Sequence, residues 1–213
     1  KVLAATVVAL ALAVVIVLAM VQALPASAAP LQEPGWETAT PIYEDAGVVI
    51  GDPDIAQDST GTVHAIWSYY EQVAPGERTI MYAFRSPAGA WSVPEALPEA
   101  GTGATRDPTL LINVDDTVHV LWTTHNPDVY TVHTYRLPNG DWQTPQILPY
   151  GREDVNARVA PDGSLHVMDR YSNTHLWLPM AGSWLTESVP INIRDFEIDS
   201  QTTIHAIGSQ ATI

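Results

Sequence analysis

Three arginine–aspartate pairings stand out among the residues able to do chemistry: Arg106-Asp107, Arg152 with Asp154, and Arg194-Asp195. A guanidinium fork binds a carboxylate or phosphate through two parallel hydrogen bonds. A second set mixes rings with carboxylates and amides: Tyr69, Tyr70 and Glu71; His125, Asn126 and Asp128; Arg170, Tyr171 and Asn173. A ring face packs on a pyranose while polar groups beside it bond the sugar's hydroxyls, so the two sets predict recognition of an acidic or hydroxyl-rich glycan. The alternative is local: each Asp caps its own turn, its Arg neutralises it, and the remaining residues are solvated loop. Tyr70-Glu71 also has the composition of a tyrosine nucleophile beside a carboxylate, although neighbours in a strand point to opposite faces.

Four more histidines recur in like settings: Val63-His64-Ala65, Val118-His119-Val120, Leu165-His166-Val167 and Ile204-His205-Ala206. A shared metal ion is excluded by geometry if these lie on equivalent strands of stacked sheets. Such sheets are about 10 Å apart, whereas zinc–nitrogen bonds are about 2.0 to 2.1 Å. Packing between sheets is the expected role. His125, His133 and His175 fall outside this repeat and form no ligand spacing. No metal and no cofactor is expected.

The elements that must position these residues follow from the repeat. The marker histidines are 55, 47 and 39 residues apart, close to the ~40 to 50 residues of a propeller blade. Before them stand the turns Asp58-Ser59-Thr60-Gly61, Pro161-Asp162-Gly163 and Asp199-Ser200-Gln201-Thr202, and twelve residues before the first three lie Asp52, Asp107 and Asp154. After them come Gly89-Ala90-Trp91, Gly140-Asp141-Trp142 and Gly182-Ser183-Trp184. Each copy reads as four short strands A to D. In the first these are about 54–57, 62–69, 79–85 and from Ala90 onward, separated by turn residues and rich in β-branched and aromatic side chains. Trp67, Trp91, Trp122, Trp142 and Trp184 sit at fixed points of the unit and are expected in the core. No segment beyond the first thirty residues sustains a 3.6-residue period, so little helix is expected.

Tandem four-stranded meanders predict an all-β propeller, in which stacking about an axis buries both faces of every sheet. A β-sandwich also uses many short strands but does not require them to recur in fours. Three full copies are present and a fourth stops after strand B, giving about three and a half blades: about 48–98, 99–149, 150–190 and an incomplete 191–213. Residues 29–47 read as a linker, with Gly35-Trp36 as a ring-closing strand. The chain starts at Lys and breaks off within a copy, so the sequence reads as the N-terminal part of a longer protein. In an up-and-down blade the A-to-B and C-to-D turns share one end. The longer B-to-C and D-to-A loops share the other, which is where function is expected.

Composition bounds the partners. The chain has 213 residues, 46% hydrophobic and 15% charged, with a net charge of -15 and no Cys. That excludes a disulfide framework and a thiol nucleophile. It also argues against nucleic acid, which requires a basic footprint. Val2 to Val21 is uncharged and is followed by Ala26-Ser27-Ala28, the small-x-small pattern of an export signal. Residues 1–28 are therefore expected to be a cleaved signal helix. The rival is an uncleaved anchor, with membrane contact only through residues 1–23. Either places the remainder outside the cytoplasm.

The unit resembles the sialidase-like, BNR-repeat propellers of secreted bacterial proteins. The resemblance rests on the Asp-x-x-Gly turn before Val63-His64-Ala65-Ile66-Trp67 and on the Tyr-containing strand before Gly-x-Trp, and it covers about residues 35 to 213. It implies a propeller with its ligand at the loop end. The family's Asp box, Ser-x-Asp-x-Gly-x-Thr-Trp, corresponds to Ser86-Pro87-Ala88-Gly89-Ala90-Trp91. Pro stands at the Asp position, the Gly-to-Trp gap is one residue short, and the enzymes' Arg-Ile-Pro segment is absent. A carbohydrate-binding or scaffold propeller is thus expected ahead of a glycoside hydrolase of sialidase type or a polysaccharide lyase, with a protein-interaction platform as a third reading.

Overall fold

The computed structural model describes residues 41–44, 48–71, 78–98, 104–125, 128–149, 155–169 and 172–210. The expected signal helix (1–28), Gly35-Trp36, Arg152, Asp154, Arg170 and Tyr171 lie outside the described residues.

Among the described residues the chain is all-β. The first sheet contains β1 (Val48–Gln57), β2 (Val63–Glu71), β3 (Thr79–Arg85) and β4 (Glu95–Ala96). The second contains β5 (Ala104–Ile112), β6 (Val118–His125), β7 (Val129–Arg136) and β8 (Gln146–Ile147). The third contains β9 (Val155–Val159), β10 (Leu165–Asp169), β11 (Thr174–Leu178) and β12 (Leu185–Ser188), and the fourth holds β13 (Ile191–Ile198) and β14 (Ile204–Gln210). Each sheet is an antiparallel meander in chain order, four-stranded in the first three and two-stranded in the last. This is a partial propeller. The first strands of successive sheets, β1, β5, β9 and β13, touch one another in that order, as innermost strands around an axis must.

Side-chain alternation shows how the sheets seal each other. In β6, Val118, Val120 and Trp122 pack with Ile66, Ile80 and Tyr82 of the first sheet. On the opposite face of β6, Leu121 packs with Ala157, Leu165, Val167 and Leu176 of the third. Met168 then joins Ile193 and Phe196 of the fourth. A period of two thus gives the middle sheet two apolar faces, each buried by a neighbour.

The A-to-B turn has one form in all four copies. The backbone N–H of Asp58, Asn113, Ala160 and Asp199 donates to the carbonyl four residues on, and that of Gly61, Asp116, Gly163 and Thr202 donates back to the carbonyl three residues earlier. The returning residue has positive φ: 86° at Gly61, 63° at Asp116, 82° at Gly163 and 62° at Thr202. Glycine adopts that region freely, whereas a β-branched residue such as Thr202 does so at a cost.

Two boundaries differ from the sequence reading. Strand A of the first sheet begins at Val48 rather than near Asp54, because Gly51-Asp52-Pro53-Asp54 is a bulge inside the strand and not a turn before it. Pro53 lacks a donor, and β1 is an edge strand, where a bulge accommodates it. Strand D reduces to a bridge between Arg85 and Trp91 followed by Glu95–Ala96, with Pro94 between them.

Candidate functional site

The loop end of the first two sheets is built around their innermost strands. β1 and β5 carry the same irregularity, with register breaks between Gly51 and Asp54 and between Arg106 and Thr109. Asp52 and Asp107 stand in these bulges with φ of 49° and 52°, a left-handed conformation that aspartate tolerates better than most residues. Ser68 Oγ donates to Asp52 at 3.1 Å. The register shows that Asp107 corresponds to Asp52, one residue before the bulge proline in each sheet.

The Arg106-Asp107 and Arg194-Asp195 pairs are not equivalent. β13 breaks register between Ile193 and Asp195, so Asp195 corresponds to Asp54, opposite Ile207 as Asp54 is opposite Ile66. Both of these aspartates accept from the next backbone N–H, at 2.8 Å for Asp54 and 2.9 Å for Asp195. Both also bind an adjacent sheet. Asp54 accepts from the N–H of Leu110 at 2.8 Å, and Asp195 accepts from Arg158 at 3.1 Å. The carbonyl of Arg194 accepts from Asn156 at 2.8 Å. Arg194-Asp195 is thus part of a junction between the third and fourth sheets.

Around Arg106 the arrangement is different. Arg106 is half-buried, and its Nε is buried without a hydrogen-bond partner among the described residues, as is Thr124 Oγ1. One residue earlier, Thr105 Oγ1 donates across the junction to the carbonyl of Arg78 at 2.7 Å. The Arg78 guanidinium lies 4.4 Å from the Tyr70 ring centroid, a cation–π contact. Tyr70, Arg78 and Thr105 therefore meet at the junction of the first two sheets, and Arg106 and Asp107 follow Thr105 along β5 at the same loop end. His125 ends β6 and Asp128 precedes β7 at the same end, with Asp128 exposed. Arg78 was not singled out in the sequence. Its signal was available, as the last charged residue before strand C, one strand over from Tyr70.

His64, His119 and His166 occupy the inter-sheet faces, whereas His205 on β14 is exposed, contrary to the packing role expected of it. His64, His119 and His166 are 4%, 5% and 9% exposed. Sequence reading left His133 and His175 outside the repeat, and the structure corrects this. His133 pairs with Leu121 and His175 with Met168, as Tyr82 pairs with Ile66, so all three hold one position on strand C. His64 Nδ1 meets the Tyr82 hydroxyl at 2.7 Å, His119 Nδ1 meets His133 Nε2 at 3.0 Å, and His166 Nδ1 meets His175 Nε2 at 2.9 Å. The tryptophan of the next sheet closes the first two layers edge-on: Trp142 on Tyr82 at 5.1 Å and Trp184 on His133 at 5.3 Å. Burial lowers His119 to about 4; burial, with the neighbouring His119, lowers His133 to about 3. Burial pushes the Tyr82 hydroxyl up to about 12. Burial would also raise Asp58, but hydrogen bonds from Thr60, Thr62 and His64 outweigh it and hold the carboxyl below its usual range. Burial thus keeps the His119 and His133 rings as neutral packing groups. Among the described residues no three His, Asp or Glu side chains gather as a metal-ligand set.

No protein-family model and no curated protein matches the sequence. Solved structures resemble the fold. A Dyadobacter fermentans protein of unknown function superimposes with a TM-score of 0.56 at 15% identity, over 80% of this chain and 64% of that one. A Hadza microbial sialidase gives a TM-score of 0.45 at 12% identity, covering 74% and 34%. A family 117 glycoside hydrolase from Zobellia galactanivorans gives 0.45 at 14% identity, covering 78% and 51%. The chain thus spans less than two thirds of the length of each of these proteins, and the likeness concerns the fold alone.

Proposed function

We propose that this chain is a propeller module that recognises carbohydrate at the loop end of its first two sheets. The observation that carries the reading is the buried, unpartnered Nε of Arg106 at the loop end that also holds the Tyr70–Arg78 stack. A half-buried donor without an acceptor is costly unless a ligand or solvent supplies one. A hydroxyl or carboxylate of a sugar meets that need, and Tyr70 with Arg78 supplies a flat surface at the same end of the sheets. Asp107, His125 and Asp128 lie at the same end of the sheets, and Glu71, Arg152, Asp154, Arg170 and Tyr171 belong to this reading by their places in the sequence repeat alone.

Export belongs to this proposal. The apolar run and Ala26-Ser27-Ala28 fit a cleaved leader, and a mature N-terminus at Ala29, found by mass spectrometry of protein from the native host, tests it. Recognition is tested by binding the full chain to an array of neutral and acidic glycans, with Arg106→Ala and Tyr70→Ala as probes. Both variants are expected to lose at least tenfold in affinity for any glycan bound. Binding unchanged in both places the ligand elsewhere. Turnover of fluorogenic glycosides would instead favour the hydrolase reading.

A further inference from the structure

Each of the first three sheets presents its marker histidine to the junction with the next sheet, and each satisfies that imidazole differently. In the first, Asp58 Oδ2 meets His64 Nε2 at 3.3 Å and the Tyr82 hydroxyl meets Nδ1 at 2.7 Å. A neutral ring with its hydrogen on Nε2 serves both. In the second, Asn113 Nδ2 lies 3.4 Å from His119 Nε2, and His119 Nδ1 lies 3.0 Å from His133 Nε2. Two neutral rings suffice again.

The third sheet does not balance in this way. Its contacts form one chain: Ser164 Oγ to Asp162 Oδ1 at 2.6 Å, Ser164 Oγ to His166 Nε2 at 2.7 Å, His166 Nδ1 to His175 Nε2 at 2.9 Å, and His175 Nδ1 to Glu187 Oε1 at 2.8 Å. Four contacts need four hydrogens. One hydroxyl and two neutral imidazoles supply three, and two carboxylates supply none. The chain closes only when it holds one proton more.

The direction of the chain locates that proton. The Ser164 side-chain and backbone bonds hold the Asp162 carboxyl below its usual range, so Asp162 is ionised and takes the hydroxyl's hydrogen. His166 must then donate from Nε2 to Ser164 Oγ. Burial disfavours a charge on His166, so its Nδ1 accepts from His175 Nε2. What remains is His175 Nδ1 against the Glu187 carboxylate, two acceptors 2.8 Å apart unless the extra proton lies between them. The same direction excludes Ser164 as an activated nucleophile, because His166 gives a hydrogen to that oxygen rather than drawing one from it.

We propose that the third sheet binds one titratable proton at the His175–Glu187 contact, as a His175 imidazolium paired with the Glu187 carboxylate, and that this proton clasps the outer strand β12 to β11. His175 also stacks on Trp177, with ring centroids 5.1 Å apart, an arrangement that favours a cation. Beyond its backbone ladder with β11, β12 brings no buried side chain to the contact, since all four of its residues are exposed. The charged groups facing the pair are Asp162 from the turn, Glu187 from β12, and the two imidazoles toward each other. From the fourth sheet, Asp195 and Glu197 are drawn onto Arg158, the Arg194 carbonyl is taken by Asn156, and His205 is held by Asp199. The second sheet brings His133, covered by Trp184.

A proton bound in the folded chain and absent from the unfolded chain is a stabilising contribution that disappears as pH rises. The window lies above about 6.5, where unfolded histidine is neutral, and the folding equilibrium constant falls by up to tenfold per pH unit there. The test uses the full chain. Ring-nitrogen NMR at pH 7 is expected to show His175 protonated on both nitrogens and His166 as the neutral Nε2–H form. Glu187→Gln replaces the carboxylate oxygen with an amide that can donate to His175 Nδ1, so the chain closes without the extra proton. The loss of stability of the wild type between pH 7 and 9 is expected to vanish in that variant. A neutral His175 in the wild type, or an undiminished pH slope in Glu187→Gln, overturns the proposal. If the variant does not fold, the ring-nitrogen spectrum decides alone.

Discussion

Truncating Trp142 to Ala probes the junction between the first two sheets. The indole belongs to the second sheet, yet it stands edge-on to Tyr82 of the first, with centroids 5.1 Å apart and planes at 88°. Its Nε1 donates to Glu95 Oε1 at 2.9 Å. An aromatic side chain buries about 150–250 Å², and Trp142 is half-buried, so removal exposes roughly 100 Å² of apolar surface, about 2.5 kcal/mol at ~25 cal/mol per Å². The edge-on pair adds about 1 kcal/mol, and the exposed hydrogen bond adds at most about 1 kcal/mol. The expected loss is about 3.5 to 4.5 kcal/mol, read from urea unfolding at constant m-value. A double-mutant cycle with Tyr82→Leu isolates the ring–ring contact and is expected to give a coupling of about 1 kcal/mol. Trp91, the equivalent residue of the first sheet, packs with Ala65, Trp67 and Ala83 of its own sheet. Its cycle with Tyr82 is expected to be additive within ~0.5 kcal/mol. A Trp142–Tyr82 coupling indistinguishable from zero refutes the reasoning, because the sheets would then not meet through these rings.

Two further outcomes follow from the turns and the buried rings. Thr202→Gly relieves a β-branched residue at φ 62°; relief of about 1–2 kcal/mol less about 0.5–1 kcal/mol of added chain entropy predicts a net gain of ~0.5–1 kcal/mol in urea unfolding, and a loss would contradict the turn assignment. His119 and His133 have folded values lowered to about 4 and about 3, so below pH 6.5 the unfolded chain binds protons that the folded chain refuses. Stability is expected to fall as pH drops from about 6.5 toward 4, and His133→Phe is expected to shallow that fall; an unchanged profile would place the rings in contact with solvent.

The periodic features of the fold were legible in the sequence, and the irregular ones were not. The turns before His64, His166 and His205 and the His-bearing strands after them could be read because a tight hairpin draws on a few residue types at fixed offsets; the turn from Asn113 to Asp116 was not singled out, having Asn and Asp where the first copy has Asp and Gly. The start of strand A was missed because Gly51-Asp52-Pro53-Asp54 has the composition of a turn, and only pairing with β2 reveals a bulge. Strand D was placed too early because Trp91 makes only a bridge before Pro94. His133 and His175 were set aside because the strand C position admits Tyr82, His133 or His175. The shared constraint is a ring that bonds a partner diagonally across the sheet, not a residue type. At the loop end, residue types were readable but partners were not. Nothing in the local sequence distinguishes Arg106, with its unpartnered Nε, from Arg194, whose neighbour Asp195 is claimed by Arg158 of the preceding sheet.

The central claim is that successive sheets seal one another's apolar faces in chain order. Nuclear Overhauser contacts between indole and ring protons test it most directly. The account predicts cross-peaks from Trp142 to Tyr82 and from Trp184 to His133, each linking a sheet to the one before it. Cross-peaks confined within single sheets, or linking the first sheet to the third, would contradict it.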